Sequence, residues 1–348
     1  MTTTDERKPE IIGWEITNQC NLHCFHCFTA AGKGRGDELT TEQCRRVIDS
    51  LAAIGVEMIG WTGGEPLLRQ DLEELTEYAW SRGIRSNITT NGVLLSRERA
   101  AKLMQAGCHT MQISLDGSTP EMNRRIRGTT DEEFHRIVQA LQTAKELGAR
   151  VFMACVVGRE NLADAREMIA LGKRVGVDAI RFCGFTPTGR GRQDRIKERL
   201  LLRDAVADVL DFVKETQEDP SLVMTFDVGF GPVPPDFGFH TCVAGVKTLY
   251  LKANGDVYPC TALSYEQFRV GNVRQRPLEE IWQLPQMLAM ANFPRETIAA
   301  PCRTCDNFAA CHGACRGSVL AHTDDVRAAF PHCLYRAQKA RLAKLRKV

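Results

Sequence analysis

An alternation of short strands and longer helices, repeated six times between residues 11 and 184, constrains the fold of this chain more than any other feature. Runs rich in β-branched and aromatic residues predict strands at 11–17, 56–61, 84–90, 109–115, 151–157 and 178–182. Apolar residues spaced by three and four predict helices at 41–53, 72–82, 97–106, 131–147 and 163–175. Such units, joined by right-handed crossovers, imply a parallel sheet covered by helices. Six units are too few for a closed eight-stranded barrel, so the predicted α/β fold is a partial (β/α)6 TIM-like barrel or an open sheet.

Glycines and strand ends indicate where helices stop and where a site would form. Five glycines stand where left-handed caps would end the helices: Gly55, Gly83, Gly107, Gly148 and Gly176. In folds of this type the active site lies at the C-terminal ends of the strands. The residues that directly follow each strand are therefore the first candidates for function.

The character of the chain changes after residue 184. Residues 185–241 are basic and interrupted by Gly and Pro, and they predict a bridging region with one helix over 201–216. Residues 242–335 carry a second set of cysteines and predict a small α+β domain, while 336–348 predict a basic helical tail. The predicted division is thus a core at 11–184, a bridge, a cysteine-rich domain and a tail.

Composition matters mainly through cysteine. The 348 residues include 14 cysteines, yet the chain is otherwise ordinary, with 25% charged residues and a net charge of +2. A chain this long can bury a core without disulfides, and its polar first ten residues lack a secretory signal, so we expect a cytoplasmic protein with reduced thiols. In that compartment clustered cysteines indicate metal binding or catalysis. The near-neutral charge argues against nucleic acid, and no run reaches the roughly 18 apolar residues of a membrane-spanning helix.

The first cysteine cluster follows the first strand directly. Cys20, Cys24 and Cys27 have the spacing C-x3-C-x2-C on one short loop. A tetrahedral zinc ion normally takes four ligands, which His23 or His26 could complete. Three thiolates on a cubane iron–sulfur cluster instead leave one iron open to a small molecule.

A GGEP sequence follows the second strand and makes the pattern more specific. Two glycines let a backbone lie against a ligand, and a glutamate can accept from a cationic amine. A C-x3-C-x2-C loop after strand one with GGEP after strand two resembles the radical S-adenosylmethionine (SAM) superfamily. The resemblance implies a [4Fe–4S] cluster on Cys20, Cys24 and Cys27, whose open iron chelates SAM. It also implies reductive cleavage of SAM to methionine and a 5′-deoxyadenosyl radical, which abstracts hydrogen from a substrate.

The same resemblance implies which residues contact SAM. They are His26, Gly63, Gly64, Glu65, Asn91, Ser114, Asp116 and Arg127. The GGE residues would take the amino group, and His26 lies where family members pack the adenine. The ends of strands three and four would approach the ribose or methionine part of SAM through Asn91, Ser114 and Asp116. Asn91 and Asp116 each precede a glycine, so they could form tight turns instead. Arg127 is assigned to the SAM carboxylate because arginine binds carboxylates in bidentate fashion.

The second cysteine set has its own recognisable spacing. Cys242-x12-Gly255-x4-Cys260 is followed by C-x2-C-x5-C-x3-C and, after seventeen residues, a last cysteine. A zinc ribbon is one interpretation. The full pattern resembles the SPASM extension of radical SAM enzymes, which implies two auxiliary iron–sulfur clusters, expected to be [4Fe–4S]. By that resemblance, auxiliary cluster I takes Cys242, Cys260 and Cys315, and auxiliary cluster II takes Cys302, Cys305, Cys311 and Cys333.

Two details of this segment refine the expectation. Some relatives carry a further cysteine shortly after the first position, but this chain has VAGVKTLYL there, so cluster I is expected to have an open or non-cysteine fourth site. TLYLKANGDVYPC predicts a β-hairpin with Asn254-Gly255 as its turn.

The resemblance leaves the substrate open. SPASM enzymes modify peptides or small polar molecules, and only ten residues precede the first strand, so we expect no fused leader-binding domain. The leading hypothesis is hydrogen abstraction from a small-molecule substrate, a sugar, nucleoside sugar acid or cofactor precursor, leading to dehydrogenation, decarboxylation or elimination. The alternative is a peptide maturase of the mycofactocin or ribosomal-peptide type with a separate leader-binding protein. A flavodoxin- or ferredoxin-type reductant is implied in both cases.

Candidate catalytic residues and a third class of function complete the expectations. Glu15 on strand one is a candidate to orient substrate, or a buried hydrogen bonder, and Cys183 at the end of strand six is the free thiol best placed to enter the site. Arg181, Arg190 and Arg192 could suit a carboxylate or phosphate, although GRGR could equally be a solvated loop. A non-catalytic electron carrier or zinc module would need the second cysteine set but not the GGEP loop.

Overall fold

A single sheet organises the chain in a computed structural model that describes residues 7–238 and 242–345. Its strands are β1 Ile11–Thr17, β2 Met58–Gly63, β3 Arg85–Thr90, β4 Cys108–Ser114, β5 Arg150–Val157, β6 Ala179–Gly184, β7 Val223–Phe226, β8 Thr248–Leu251, β9 Asp256–Tyr258 and β10 Gly271–Asn272. The strand order is β10-β9-β8-β1-β2-β3-β4-β5-β6-β7. Strands β1 to β6 pair in parallel, as the strand–helix alternation predicts, and β7 pairs in parallel with β6. The mixed α/β fold with a partial barrel is therefore confirmed.

Helices cover the outer, convex face of this sheet. They are α1 Thr41–Ala53, α2 Leu72–Ser81, α3 Arg97–Gln105, α4 Pro120–Arg127, α5 Asp131–Glu146, α6 Ala165–Val175, α7 Asp194–Leu200, α8 Val206–Gln217, α9 Leu278–Gln283, α10 Phe308–Cys311, α11 Arg316–Thr323 and α12 Leu334–Leu345. Capping boxes fix the starts of α1 and α5, where Thr40 and Thr130 bond the backbone of the third helical residue. All five predicted cap glycines have positive φ, between 78° and 99°.

Alternation along the strands separates two faces of the sheet. On β1, Ile12, Trp14 and Ile16 are fully buried against the helices, and Trp14 meets Trp61 of β2 with ring centroids 5.5 Å apart. The intervening residues point to the concave face, where side chains such as Gln112 and Ser114 of β4 are partly exposed. The concave face is therefore the polar interior of the partial barrel.

The bridging region differs from its prediction in two ways. The helix predicted over 201–216 is present as α8 but begins five residues late, because α7 ends at Leu200 and α8 begins only at Val206. The intervening segment turns sharply instead: Leu201 has an extended backbone, and Ala205 bonds back to Leu202. The short strand β7 then pairs in parallel with β6 and adds an unpredicted strand to the sheet.

The cysteine-rich segment is joined to the barrel through its hairpin. β8 and β9 pair in antiparallel fashion around Asn254 and Gly255, and Gly255 has φ +90°, as the predicted turn requires. β8 also pairs in parallel with β1, with Ile11 opposite Thr248. The hairpin predicted within a separate small domain is therefore an extension of the barrel sheet.

The tail predicted at 336–348 belongs to α12, and its last three residues lie outside the described ranges. Its basic side chains form exposed ion pairs, Lys339 with Asp306 and Arg341 with Asp211 of α8. Among the helices of residues 7–238 and 242–345, none combines the length and apolar character that crossing a bilayer requires.

Candidate active site

The loop with the first three cysteines leaves β1 at the C-terminal edge of the sheet. Cys24 is buried, while Cys20 and Cys27 are partly exposed. Burial raises the pKa of Cys20 to about 11 and also raises that of Cys24, an effect opposed at Cys24 by the charges of Arg127 and Arg190. Three thiols held beside two cations are a donor set that fits an anionic iron–sulfur cluster. Cys20, Cys24 and Cys27 are thus placed as the motif predicts.

The two glycines of GGEP are required by the packing of two loops. A Cβ on Gly63, whose φ is +142°, would lie 2.4 Å from the Thr17 carbonyl oxygen, and one on Gly64 would lie 2.1 Å from that of Gln19. In this tight approach the amide of Gly64 donates to Thr17 over 2.8 Å. Both glycines therefore let the GGEP loop lie directly against the cysteine loop, whatever they also contribute to SAM binding.

The Glu65 carboxylate is buried and engaged within the protein. It accepts from the Thr90 hydroxyl (2.7 Å) and from the backbone amides of Asn91 (2.7 Å) and Leu67 (3.1 Å). Burial raises the pKa of Glu65 against these hydrogen bonds. The side chain thus ties the ends of β2 and β3 together, and its role toward the SAM amino group stays a prediction.

Asn91 connects the end of β3 to the cysteine loop. Its Nδ2 donates to Asn21 Oδ1 over 2.8 Å and lies 3.9 Å from Cys20 Sγ. Its Oδ1 accepts from the amide of Val93 in a tight turn, the alternative that the sequence left open. Ser114 ends β4, where it is partly exposed and in register with Ala154 of β5, and its role toward SAM stays a prediction.

A buried ionic network joins three of the predicted SAM residues to one another. Asp116 Oδ2 accepts from Arg127 Nη1 (2.9 Å) and lies 3.2 Å from His26 Nε2, and its Oδ1 accepts from the amide of Val156 (2.7 Å). Burial favours the neutral acid, but the charges of Arg127 and His26 outweigh it and hold the pKa of Asp116 at about 2. The network anchors α4 beside Cys24, while the Nε atom of Arg127 has no protein partner in the described ranges.

A cavity of about 240 Å³ opens between the cysteine loop and the hairpin. It is lined by Glu15, Asn18, Phe28, Thr29, Arg35, Asp37, Thr188, Gly189, Arg192, Lys252, Asn254, Ser264 and Tyr265. Phe28 and Thr29 follow Cys27, and Ser264 and Tyr265 follow Cys260, so the cavity lies between the first cysteine loop and the second set. Three cationic side chains face two carboxylates there.

The two predicted catalytic residues occupy different parts of the concave face. Glu15 is buried at the cavity wall and accepts from the Tyr250 hydroxyl over 2.7 Å, and burial raises the pKa of Glu15. Cys183, at the end of β6, contacts the Asp227 carboxylate, and burial together with that carboxylate raises its pKa. A thiol held protonated in this way is a poor nucleophile at neutral pH.

The arginines predicted near the mouth separate into different environments. Arg181 is exposed on β6, and Arg192 lines the cavity while it pairs with Asp324. Arg190 donates to the carbonyl oxygens of Cys24 and Ala31, so it braces the cysteine loop and is neither a free anion ligand nor part of a solvated loop.

The cysteines of the second set fall into two neighbourhoods. Burial raises the pKa of Cys260, and Cys315 and Cys242 add to the increase, so these three thiols lie close together. Burial likewise raises the pKa of Cys311 to about 11, with Cys333 and Cys302 as the neighbouring thiols. These neighbourhoods are compatible with the two ligand sets that the SPASM resemblance implies, and the assignment of the ligands stays a prediction. Cys305 bonds to Cys302 through its backbone amide.

The thiols thus form three groups: Cys20, Cys24 and Cys27 on the first loop, and the two neighbourhoods of the second set. Three thiolates on one loop are a donor set that a cubane iron–sulfur cluster can use, because each thiolate binds a separate iron.

Comparison with known families identifies the class. Residues 14–172 match the Radical SAM superfamily, and residues 242–306 match SPASM, an iron–sulfur cluster-binding domain. The chain is a member of the radical SAM superfamily and carries the SPASM extension, so SAM, a SAM-binding [4Fe–4S] cluster and auxiliary iron–sulfur clusters are its cofactors.

Relatives and solved structures agree with this membership. The mycofactocin maturase MftC of Mycobacterium tuberculosis is 31% identical over 345 residues, which cover 97% of this chain and 86% of that protein. An AdoMet-dependent heme synthase of Methanosarcina barkeri is 28% identical over 352 residues, covering 95% and 98%. Streptococcus suis SuiB bound to its precursor peptide SuiA has the same fold, with a TM-score of 0.74 at 19% identity over 94% of this chain and 76% of that one.

Several residues of the site escaped the sequence argument. Lys252 and Arg35 line the cavity from the hairpin and from the loop after the cysteines, and Tyr250 donates to the cavity residue Glu15. Asp227 contacts Cys183 from the bridging region. An aromatic residue in a predicted strand gives no signal of its partner. Asp227 follows β7, so only recognition of that strand could have placed it at a strand end.

Proposed function

We propose that this radical SAM/SPASM enzyme abstracts hydrogen from a small polar biosynthetic intermediate that carries a carboxylate, and that the cavity binds this group. The observation that carries the proposal is the position of three cations, Arg35, Arg192 and Lys252, between the first cysteine loop and the Cys260 loop. Arg35 is exposed and makes no hydrogen bond or close ion pair within the described ranges, although its charge acts on Glu15 and opposes the rise in the pKa of that carboxyl. Its guanidinium donors therefore remain for an anion. When bound, SAM and its cluster supply the abstracting radical, and the auxiliary clusters supply one-electron chemistry.

The chain's own residues would bind and orient the substrate. Lys252 already donates to the Ser264 carbonyl over 3.1 Å and lies over the Tyr258 ring, which leaves its remaining donors for a ligand. Glu15, with its raised pKa, presents a carboxyl group beside these cations, positioned by Tyr250. A cavity of about 240 Å³ suits a sugar-sized group or the reactive end of a larger molecule.

A peptide substrate is the second candidate, because specific comparisons favour it. The relative at 31% identity is named a mycofactocin maturase, and SuiB, of the same fold, is bound to a precursor peptide. A peptide's C-terminal carboxylate could bind the same cations as the propionate groups of a tetrapyrrole. Because two relatives are named heme synthase and Fe-coproporphyrin III synthase, a tetrapyrrole is a reasonable small-molecule probe. In the peptide case a separate leader-binding protein would deliver the substrate.

The remaining assignments belong to the same proposal. Cys20, Cys24 and Cys27 would hold the SAM cluster, and the two neighbourhoods of the second set would hold auxiliary clusters I and II. A flavodoxin- or ferredoxin-type protein would supply the electron, and the reducing cytoplasm is the compartment in which exposed thiolate clusters persist.

The experiment combines anaerobic reconstitution, chemical reduction and SAM with two probes. Iron coproporphyrin III tests the small-molecule arm, and a precursor peptide with a leader-binding protein tests the other. Formation of 5′-deoxyadenosine together with a mass change in one of the two probes identifies whether the substrate is a small molecule or a peptide. If no 5′-deoxyadenosine forms under any condition, the proposed enzymatic function is refuted.

A matched pair of variants tests the cavity itself. Arg35→Gln is expected to raise the KM for the turned-over probe at least tenfold while leaving substrate-free SAM cleavage unchanged, since a charge-assisted hydrogen bond contributes about 1.5–3 kcal/mol. Lys33→Gln, on the same exposed loop but outside the cavity lining, is the control. Equal KM values for both variants would refute the anion site.

A further inference from the structure

The turn Gly189–Arg192, which we call the bridge turn, makes an unusually close contact with the first cysteine loop. Arg190 Nε donates to the Cys24 carbonyl over 2.9 Å, and its Nη1 donates to the carbonyl of Ala31. The backbone amide of Arg190 donates to the Cys27 carbonyl over 3.0 Å. One residue therefore binds three carbonyls of a loop that carries three cysteines.

The neighbouring glycine shows that the contact is built into the backbone. Gly189 has φ +48°, and a Cβ there would lie 2.4 Å from the carbonyl oxygens of both Cys27 and Phe28. A substitution would have to displace the cysteine loop, because the atoms it meets are backbone and cannot rotate away. The position thus requires glycine for conformation and for space.

The bridge turn is also anchored outside the loop. Arg192 pairs with Asp324 at the end of α11, the helix that begins directly after Cys315. Gly191 packs on the ring of Phe185, with a Cβ position 3.0 Å from that ring. The turn therefore also contacts Phe185 and the end of α11, in addition to the cysteine loop.

We propose that the bridge turn positions the SAM-cluster cysteines, with Arg190 as the positioning residue. The guanidinium fork fixes the carbonyls on either side of Cys27, and its positive charge lies close to Cys24. A cation beside an iron–sulfur cluster favours the reduced, more negative state, so Arg190 has two separable effects: it holds the loop, and it raises the reduction potential.

Three variants separate these effects in the reconstituted full-length enzyme. Arg190→Gln removes both the positive charge and the guanidinium hydrogen bonds to the cysteine loop. We therefore expect cluster loss in the presence of a chelator to be about tenfold faster, and the midpoint potential of the SAM cluster to fall. Arg190→Lys keeps the charge, so we expect the faster loss with a nearly unchanged potential. Gly189→Ala keeps the guanidinium but pushes the loop away, so we expect weaker SAM binding in titrations of the reduced cluster's electron paramagnetic resonance signal.

The control is Arg195→Gln, an exposed arginine bonded only to the nearby Gln193. The iron lost from the Arg190 variants should correspond to one of three clusters and leave the auxiliary signals intact. Loss rates and potentials equal to those of Arg195→Gln in both Arg190 variants would overturn the proposal. None of these measurements uses substrate, so they fail or succeed independently of the proposed function.

Discussion

The buried network of Asp116, Arg127 and His26 leads to a quantitative prediction. Asp116→Asn keeps an acceptor for the Val156 amide but removes the charge that compensates Arg127, whose side chain is 9% exposed. Leaving one partner of a buried ion pair uncompensated costs about 3–5 kcal/mol. Unfolding entropy of about 2.1 cal/mol/K per residue gives roughly 0.7 kcal/mol/K for this chain, so the expected decrease in Tm is about 4–7 °C.

Anaerobic scanning calorimetry of the reconstituted enzyme measures this decrease against a matched surface pair. Arg124 of the same helix pairs with Asp131 in solvent, so Arg124→Gln should lower the Tm by about 1 °C or less. The double variant Asp116→Asn with Arg127→Met removes both charges and should lose clearly less than the sum of the two single variants. Additive losses, or a single-variant decrease of less than 1 °C, would refute the assignment of a coupled buried pair.

The same pair predicts a pH dependence. The pKa of Asp116 is held at about 2, below its ordinary value of 3.8, so the folded state binds this proton less readily than the unfolded chain. The stabilisation is therefore complete above pH 3.8 and is lost as the pH falls toward 2. Asp116→Asn should remove this part of the acid sensitivity, and an acid profile identical to that of the wild type would contradict the linkage.

Three further predictions concern single residues of the site. Glu15→Gln should lower turnover at least about tenfold if the carboxyl orients substrate. Because burial raises the pKa of Glu15, the contribution of this group to folding stability is lost as the pH rises. At pH 8 the variant should therefore be no less stable than the wild type. Unchanged turnover would reduce Glu15 to a hydrogen-bond partner of Tyr250. Gly64→Ala should abolish SAM binding, because the added Cβ would lie 2.1 Å from the carbonyl oxygen of Gln19 in the cysteine loop. The control is Gly32→Ala, whose added Cβ would have no atom within 4 Å. Isothermal titration should show normal SAM binding for this control. Cys183→Ala should retain turnover within about twofold, since its thiol stays protonated at neutral pH; a complete loss measured by 5′-deoxyadenosine and product formation would make the thiol catalytic.

Local patterns predicted most of the barrel because each strand and helix carries its own periodicity. The helix Thr41–Ala53 was predicted to the residue, since a capping box begins it and apolar spacing continues to its end. The seventh strand escaped because Val223–Phe226 spans only four residues and none of them is fully buried. The pairing of β8 with β1 joins residues more than two hundred positions apart, and neither strand carries a local signal of its partner.

Residue types at the site were predictable, but their partners were not. A motif indicates that Glu65 and Asp116 lie at strand ends, yet their sequence positions cannot show that each carboxylate already accepts hydrogen bonds from the protein. Arg190 is the clearest case. In the sequence it belongs to a basic GRGR run typical of solvated loops, and only the close approach of Gly189 to Cys27 and Phe28 makes it part of the cluster loop's support.

The cavity is lined by residues from several of the predicted domains. Its wall combines Glu15 from β1 and Arg35 from the following loop with Arg192 from the bridge and Lys252 from the hairpin. The hairpin reaches Glu15 because β8 pairs with β1, which brings the Tyr250 hydroxyl within 2.7 Å of that carboxylate. A barrel without the cysteine-rich segment would therefore lose one edge of its sheet and one wall of its cavity along with the auxiliary clusters. In the proposed function the SPASM segment is therefore part of the substrate-binding structure, since residues from the predicted core, bridge and cysteine-rich domain all line the cavity.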